Sequence, residues 1–197
     1  MENDINILLK QIKENHTGNR YIAGIDGLSR SGKTTLVNRI SQYLRKNNIS
    51  YVIFHIDDHI VERNKRYNTG EEEWYEYYSL QWDVKWLSQH FFKKLKSAQR
   101  LKLPFYDNER DTCEFRDINL PDRCVIIIEG VFLQREEWRN HFDFLVFLEV
   151  SREKRFLREK AETQKQTGKF KNRYWKAEDH YLQTEFPKEN ADFLMEE

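Results

Sequence analysis

The chain contains few residues that impose unusual backbone shapes or cross-link it: seven glycines, three prolines and two cysteines among 197 residues. It also has no excess of charge, because 33 basic side chains balance 33 acidic ones. Zero net charge argues against a general nucleic-acid-coating protein, which is strongly basic. The chain has no apolar run near 20 residues, which argues against a membrane-spanning helix. An aromatic content of 14% excludes a disordered chain, since such chains carry few aromatics.

The two cysteines, Cys113 and Cys124, show neither metal-ligand spacing nor the pattern of a multi-bridge framework. We expect free thiols in a reducing cytosol, and a single bridge between them stays an alternative. The amino-terminal segment MENDINILLK is acidic and polar, without the basic and apolar regions of a signal peptide. We therefore expect a cytoplasmic protein without membrane or nucleic-acid partners, and the length favours a single domain over residues 1–197.

The order of predicted elements indicates an α/β fold. Short apolar or β-branched strands are predicted over 20–25, 51–56, 124–128 and 144–150, with a last short strand over 191–195. Hydrophobic periodicity predicts helices over 5–12, 33–46, 83–100, 152–166 and 174–185. Strands that are apolar almost throughout and alternate with helices are typical of a parallel sheet covered on both faces.

A phosphate-binding loop is the most specific motif in the sequence. Residues 27–34, GLSRSGKT, match G-x-x-x-x-G-K-[ST] between a predicted strand and a predicted helix. Its glycines let backbone N–H groups approach phosphate oxygens, and the following helix directs its positive dipole end at the same anion. We expect Lys33 to reach the β- and γ-phosphates and the Thr34 hydroxyl to bind Mg²⁺. The predicted nucleotide-binding residues are Gly27, Ser29, Arg30, Ser31, Gly32, Lys33, Thr34 and Thr35.

The motifs of two other nucleotide-binding classes are absent. Switch GTPases need D-x-x-G and N-K-x-D, but Asn64-Lys65 is not followed by the required aspartate. The L-S-G-G-Q sequence of transporter ATPases does not occur. A small-molecule kinase is the simplest remaining interpretation.

Carboxylates follow two of the predicted strands. Asp57 and Asp58 come directly after the second strand, and alternation of side chains predicts that one of them faces the ligand crevice. A kinase needs a carboxylate there to orient the acceptor hydroxyl and take its proton. Glu129 ends the third strand, where a carboxylate typically anchors Mg²⁺ directly or through another ligand. For each, a polar strand end without function is the alternative.

Charge is unevenly distributed near the carboxyl terminus. Residues 151–176 hold ten basic and three acidic side chains, whereas residues 177–197 hold seven acidic and one basic. Two interpretations stay open: solvated helix faces that partly neutralise each other, or a basic lid that closes over phosphates.

Taken in order, these segments resemble the uridine kinase–phosphoribulokinase family of P-loop kinases. The matching stretches are 24–34, 56–59, 82–84, 103–107, 127–132, 143–144, Arg155, Arg158 and 191–192. The resemblance implies a P-loop NTPase fold with a parallel sheet in the order 2-3-1-4-5 between helices. It also implies a small acceptor-binding insert at about 58–82 and a lid at about 152–173.

The resemblance assigns roles to individual residues. It implies Asp57 as the base that orients the acceptor hydroxyl, and Thr34 with Glu129 at Mg²⁺. It implies Asp83 on ribose hydroxyls and Tyr106 against the base. Arg155 and Arg158 match lid arginines that neutralise the transferring phosphate. Among the clustered aromatics between residues 74 and 86, most are predicted to pack, while Trp82 is a further candidate ligand contact.

Several positions depart from the family pattern. His59 stands where an aromatic is usual, no base-reading histidine follows Tyr106, and Glu159 and Glu162 replace expected basic residues. We therefore expect an ATP- and Mg²⁺-dependent kinase, with the 5′-hydroxyl of uridine or cytidine as the first candidate acceptor. The alternatives are pantothenate, a sugar phosphate, glycerate or nicotinamide riboside as acceptor, or a catalytically silent ATP-binding regulator. The preference for ATP over GTP and the oligomeric state stay open.

Overall fold

A parallel five-stranded sheet forms the centre of the molecule. The computed structural model describes residues 2–15, 18–165 and 167–197. Its strands are β1 (Tyr21–Gly27), β2 (Tyr51–His55), β3 (Arg100–Asp107), β4 (Thr112–Asn119), β5 (Val125–Gly130), β6 (Phe144–Glu149) and β7 (Phe193–Glu196). The central sheet has the order β2-β5-β1-β6-β7, and β3 pairs with β4 in a separate antiparallel hairpin. The predicted α/β class is confirmed.

The hairpin accounts for the one difference from the predicted strand order. Without β3 and β4 in the count, the observed order reads 2-3-1-4-5, as predicted. The sequence did not indicate the hairpin because most side chains of β4 are charged or polar and exposed, so no apolar run marks it. Its partner β3 buries Leu101 and Leu103 against the core.

The helices lie on both faces of the sheet. They are α1 (Glu2–Asn15), α2 (Lys33–Lys46), α3 (Arg63–Arg66), α4 (Glu73–Ser79), α5 (Val84–His90), α6 (Arg152–Leu157), α7 (Ala161–Gln164), α8 (Thr167–Lys169), α9 (Lys176–Glu185) and α10 (Pro187–Asn190). A π-helical turn, Phe170–Trp175, leads into α9, and 3₁₀ turns occur at Ile56–His59, Phe92–Lys94 and Arg139–His141. Apolar side chains of α1 and α2, among them Leu8 and Ile40, pack in one core cluster with Val125 and Val146 of the sheet.

Two predicted helices are shorter than expected. The helix predicted over 83–100 ends at His90, and a 3₁₀ turn then leads towards β3. The charged helix predicted over 152–166 ends at Leu157. Lys160 has an extended backbone, so the helix does not continue into α7. Gln166, its expected end, lies outside the described residues. This break allows Arg158 and Glu159 to turn towards the phosphate loop.

The sheet brings three strand ends to one place. Every residue of β1 and β5 is buried, as expected for strands covered on both faces. In the parallel register, Glu129 lies beside Ile25 of β1 and beside His55 of β2. The carboxyl ends of β1, β2 and β5 therefore meet, and ligands bind at such a crevice in open α/β sheets.

Two smaller predictions concern membranes and cysteines. In the described ranges, no helix combines the length and apolar character needed to cross a bilayer. Cys113 and Cys124 are both free, so the alternative of a bridge between them is wrong.

Candidate active site

The phosphate loop connects β1 to α2 through three residues with positive φ. Gly27 has φ 151°, Arg30 has φ 63° and Gly32 has φ 97°. A Cβ atom on Gly27 would lie 2.7 Å from the Ser31 hydroxyl and 2.9 Å from the Leu148 carbonyl oxygen. Glycine at this position is therefore required both by backbone conformation and by space. The first turn of α2 leaves backbone N–H groups without helical partners, which suits an anion.

Lys33 lies at the centre of the loop. Its Nζ donates hydrogen bonds to the carbonyl oxygens of Gly27 at 2.8 Å and Leu28 at 3.0 Å. Burial lowers the pKa of the ammonium, while the nearby carboxylates of Asp26 and Asp57 oppose this effect. The side chain is thus held inside the loop, among the groups predicted to bind phosphate.

One carboxylate oxygen of Glu129 makes two hydrogen bonds. The Thr34 hydroxyl donates to its Oε1 at 2.9 Å, and Nδ1 of His55 lies 2.6 Å from the same atom. Burial acts to raise the pKa of Glu129, but the hydrogen bonds from His55 and Thr34 outweigh it, so the pKa falls below its usual range. The hydrogen bond to Glu129 in turn raises the pKa of His55. Glu129 is therefore a stable carboxylate.

The donor set at this edge fits Mg²⁺. A carboxylate and a hydroxyl are hard oxygen ligands, and Mg²⁺ is usually bound by one or two protein groups together with phosphates and water. No group of three histidine, cysteine or acidic side chains that could hold a metal occurs in the described residues. The Thr34–Glu129 pair therefore matches a metal held largely by a nucleotide rather than by a closed protein cage.

Asp57 faces the same cavity from the 3₁₀ turn that follows β2. The adjacent Asp58 is not among the residues that line this cavity. Asp57 is exposed on the side of the cavity. Burial against the protein raises its pKa, with Glu129 and Asp58 adding to the effect and Lys33 opposing it. A carboxylate with a raised pKa is suited to accept a proton near neutral pH.

The cavity itself has a volume of about 1090 Å³, large enough for two small ligands side by side. Its floor is the phosphate loop from Ser29 to Thr35. Its walls include Ile5 of α1, Arg158, and Met195 of β7. The amino-terminal helix, the residues after α6 and the last strand therefore all border the cavity around the loop.

A buried aspartate supports the loop from behind. Asp26 is fully buried and accepts hydrogen bonds from the Gly27 N–H at 2.8 Å, the Gln134 amide at 3.0 Å and the Tyr181 hydroxyl. Burial raises its pKa, although these hydrogen bonds act in the opposite direction. The sequence analysis did not select Asp26 as a site residue, yet a charged residue inside an apolar strand before the loop was the available signal.

Arg155 does not line the cavity, and its contact with the transferring phosphate stays a prediction. Its guanidinium donates two hydrogen bonds to Glu178, at 2.8 Å and 3.0 Å, and a third to the Ser29 carbonyl oxygen at 3.1 Å. The side chains of Arg155 and Glu178 are 6% and 2% exposed. The pair therefore connects the phosphate loop to α9. The sequence pattern does not reveal that Glu178 is the buried anion beside Arg155.

Arg158 does reach the cavity, at the edge of the loop. It donates to the Arg30 carbonyl oxygen at 2.9 Å and forms an ion pair with Glu197. Glu159 accepts two hydrogen bonds from the Arg30 side chain, at 2.8 Å and 2.9 Å. The acidic residue that departs from the family pattern is thus the partner of a loop arginine.

The three residues predicted to contact the acceptor do not line this cavity, and their roles stay predictions. Trp82 is 2% exposed and donates its indole N–H to the Ile56 carbonyl oxygen at 2.9 Å. Asp83 caps α5 by accepting the Trp86 N–H at 3.0 Å. Tyr106 donates its hydroxyl proton to Asp111 at 2.9 Å. Core packing, helix capping and a local hydrogen bond account for these three side chains.

Comparison with known proteins agrees with this geometry. The family model for the phosphoribulokinase / uridine kinase family matches residues 22–183. The chain belongs to this family. It is 31% identical over 143 residues to a uridine kinase of Borrelia duttonii and 28% identical over 138 residues to one of Ureaplasma parvum. These matches cover 70% and 68% of this chain and 64% of each relative, slightly less than two thirds of their length.

Two solved structures share the fold of this chain. A protein from Bacillus stearothermophilus described as a possible uridine kinase is 52% identical, with a TM-score of 0.85 over 98% of both chains. A D-glycerate 3-kinase from Cryptococcus neoformans has a TM-score of 0.62 at 16% identity, covering 98% of this chain and 93% of the other. The second likeness shows the fold alone.

Proposed function

We propose that this family member is an ATP- and Mg²⁺-dependent kinase that phosphorylates the hydroxyl of a small molecule. The observation that carries the proposal is the meeting of Lys33, the Thr34–Glu129 pair and Asp57 around one cavity. These groups come from the ends of β2 and β5 and from the start of α2. They are the charged and polar parts that phosphoryl transfer requires.

The loop residues are suited to hold the triphosphate. Their backbone N–H groups, the α2 amino terminus and Lys33 supply positive potential around one point. The Ser31 hydroxyl is buried and makes no hydrogen bond with the described residues, which leaves a donor for a phosphate oxygen. Thr34 and Glu129 would hold Mg²⁺, which neutralises phosphate charge when it is bound.

Asp57 is suited to act on the acceptor. In the proposed reaction the acceptor oxygen forms a bond to the γ-phosphorus, and the bond from that phosphorus to the β,γ-bridging oxygen breaks. The electron pair of the broken bond leaves with ADP. Asp57 orients the acceptor hydroxyl and takes its proton, so that charge and atoms balance.

We propose a pyrimidine nucleoside, uridine or cytidine, as the first acceptor to test. The support is the description of the Borrelia and Ureaplasma relatives as uridine kinases. The position of Trp82, Asp83 and Tyr106 outside the cavity favours a wider search as well. Pantothenate, sugar phosphates, glycerate and nicotinamide riboside belong in that search, and a cytoplasmic location accords with such acceptors.

The deciding experiment measures ADP release from Mg-ATP across this panel of acceptors. Lys33→Ala is the inactive reference, and Lys46→Ala, an exposed lysine at the other end of α2, is the matched control. Turnover with uridine or cytidine that is lost in Lys33→Ala and kept in Lys46→Ala supports the proposal in full. Turnover with another acceptor keeps the mechanism and changes the substrate. ATP binding without turnover of any acceptor contradicts the proposal and favours a regulator.

A further inference from the structure

Tyr77 is the residue of the insert helix α4 that reaches the phosphate loop. Its hydroxyl lies 3.4 Å from the hydroxyl of Ser29, and the side chain lines the same cavity as Lys33 and Asp57. It is 8% exposed. The sequence analysis assigned the aromatics around it to packing, so this position in the cavity is a result of the tertiary structure.

Neighbouring rings fix the orientation of the Tyr77 ring. Phe132 and Tyr174 contact it edge to face, with ring centroids 5.4 Å and 5.0 Å away. The Arg173 guanidinium lies 5.7 Å from its centroid. The ring is therefore held by packing from three segments. Among the described residues, the hydroxyl makes one hydrogen bond, the long contact with Ser29. The hydroxyl proton is thus weakly engaged and available to a ligand.

The surroundings keep this hydroxyl protonated. Burial raises the pKa of Tyr77 far above its usual value, and the negative charge of Asp57 adds to the effect. A neutral phenol beside a phosphate-binding loop can donate a hydrogen bond to an anionic oxygen without carrying charge itself. Donors fixed before the reaction stabilise charge that redistributes in a transition state, because they need no reorganisation.

We propose that the Tyr77 hydroxyl is a further catalytic group, which donates a hydrogen bond to an oxygen of the transferring phosphoryl group. The inference rests on the proposed kinase function. The resemblance gives Arg155 the role of neutralising the transferring phosphate, but Arg155 forms an ion pair with Glu178. The inference assigns part of that role to Tyr77. The proton stays on Tyr77 throughout, so the balance of the transfer reaction is unchanged.

The test compares Tyr77→Phe with a control on the same helix. Phenylalanine keeps the ring and its packing and removes the hydroxyl alone. Tyr75→Phe is the matched control, because Tyr75 is 39% exposed and does not line the cavity. We expect kcat of Tyr77→Phe to fall about 10- to 100-fold. Removing an oxyanion-hole donor costs about 100- to 1000-fold in kcat, and we expect a smaller loss here because this cavity is open to water. The KM for ATP and the melting temperature should stay close to those of the wild type, and Tyr75→Phe should leave all three unchanged.

A second variant separates catalysis from support of the loop. If the hydroxyl serves to position Ser29, then Ser29→Ala should reproduce the loss of Tyr77→Phe, and the double variant should lose nothing more. That result overturns the inference, as does a kcat for Tyr77→Phe within twofold of the wild type. If the wild type phosphorylates no acceptor, the proposed function fails separately. Tyr77 is then judged on the slow hydrolysis of Mg-ATP by water, where a loss in Tyr77→Phe supports the inference and an unchanged rate overturns it.

Discussion

The ion pair between Arg155 of α6 and Glu178 of α9 offers the sharpest test of how these helices support the phosphate loop. Glu178→Ala would leave the Arg155 guanidinium buried, with the carbonyl oxygens of Val150 at 3.0 Å and Ser29 at 3.1 Å as its recorded partners. Removing one member of a buried pair costs about 3–5 kcal/mol, because the remaining charge is uncompensated. In a chain of this size, 1 kcal/mol corresponds to about 2–4 °C, so the melting temperature should fall by about 6–20 °C.

The assay is urea unfolding followed by tryptophan fluorescence, together with the KM for ATP. Glu72→Ala is the control, since the Glu72–Lys176 pair is exposed and 3.4 Å apart, and its loss should cost less than about 1 kcal/mol. The double variant Arg155→Met with Glu178→Leu removes both buried charges and should regain much of the stability. Its affinity for ATP should stay below that of the wild type, because the hydrogen bond from Arg155 to the Ser29 carbonyl oxygen is gone.

Two results would refute this reasoning. One is a loss of less than 1 kcal/mol in Glu178→Ala, which would mean that the pair is solvated or rearranges at little cost. The other is a double variant that recovers ATP affinity along with stability, which would mean that Arg155 does not position the loop.

Two further predictions concern Asp57 and Trp82. The raised pKa of Asp57 means that it becomes protonated, and loses its function as a base, at a higher pH than an ordinary aspartate. The kcat/KM should therefore decline on the acid side at a higher pH than for an ordinary aspartate. Asp57→Asn should lower kcat about 100-fold or more and remove this acid-side decline. An acid-side decline that persists in the variant would contradict the assignment. Trp82 packs in the core, so Trp82→Ala should cost about 3–5 kcal/mol in urea unfolding. The milder Trp82→Phe should leave the acceptor KM within about twofold, whereas a selective rise in that KM would return Trp82 to the acceptor site.

The site combines rigid and adjustable parts in a way that bears on all of these tests. Lys33, Asp26 and Glu129 are buried and hydrogen-bonded, so their positions follow from the core of the sheet. Arg30 and Arg158 lie at the edge of the loop in partly exposed ion pairs with Glu159 and Glu197. Exposed pairs contribute little to stability. An anion at the loop can therefore recruit these two arginines at a small cost.

Local patterns in the sequence determined the features that depend on neighbours in the chain. The phosphate loop needs glycine at fixed spacing, and the residues that satisfy it lie between Gly27 and Thr34. The strands β1 and β5 are apolar at nearly every position because both faces are covered, so their composition identifies them. Asp57 lies just past the end of β2 and Glu129 lies at the end of β5, and the parallel sheet brings such strand ends together.

The tertiary structure alone decided which partners the remaining side chains have. Arg155 lies 126 residues from Ser29 in the chain, and no local pattern shows that Glu178 occupies its guanidinium before any ligand does. Trp82 and Tyr77 are aromatics in one short segment and both pack in the same core cluster, yet Tyr77 also lines the cavity and Trp82 does not. An aromatic or an arginine can serve a core or a site equally well by its chemistry. Its role is set by which distant groups the fold places within a few ångströms, and that information is not carried by residue type or spacing.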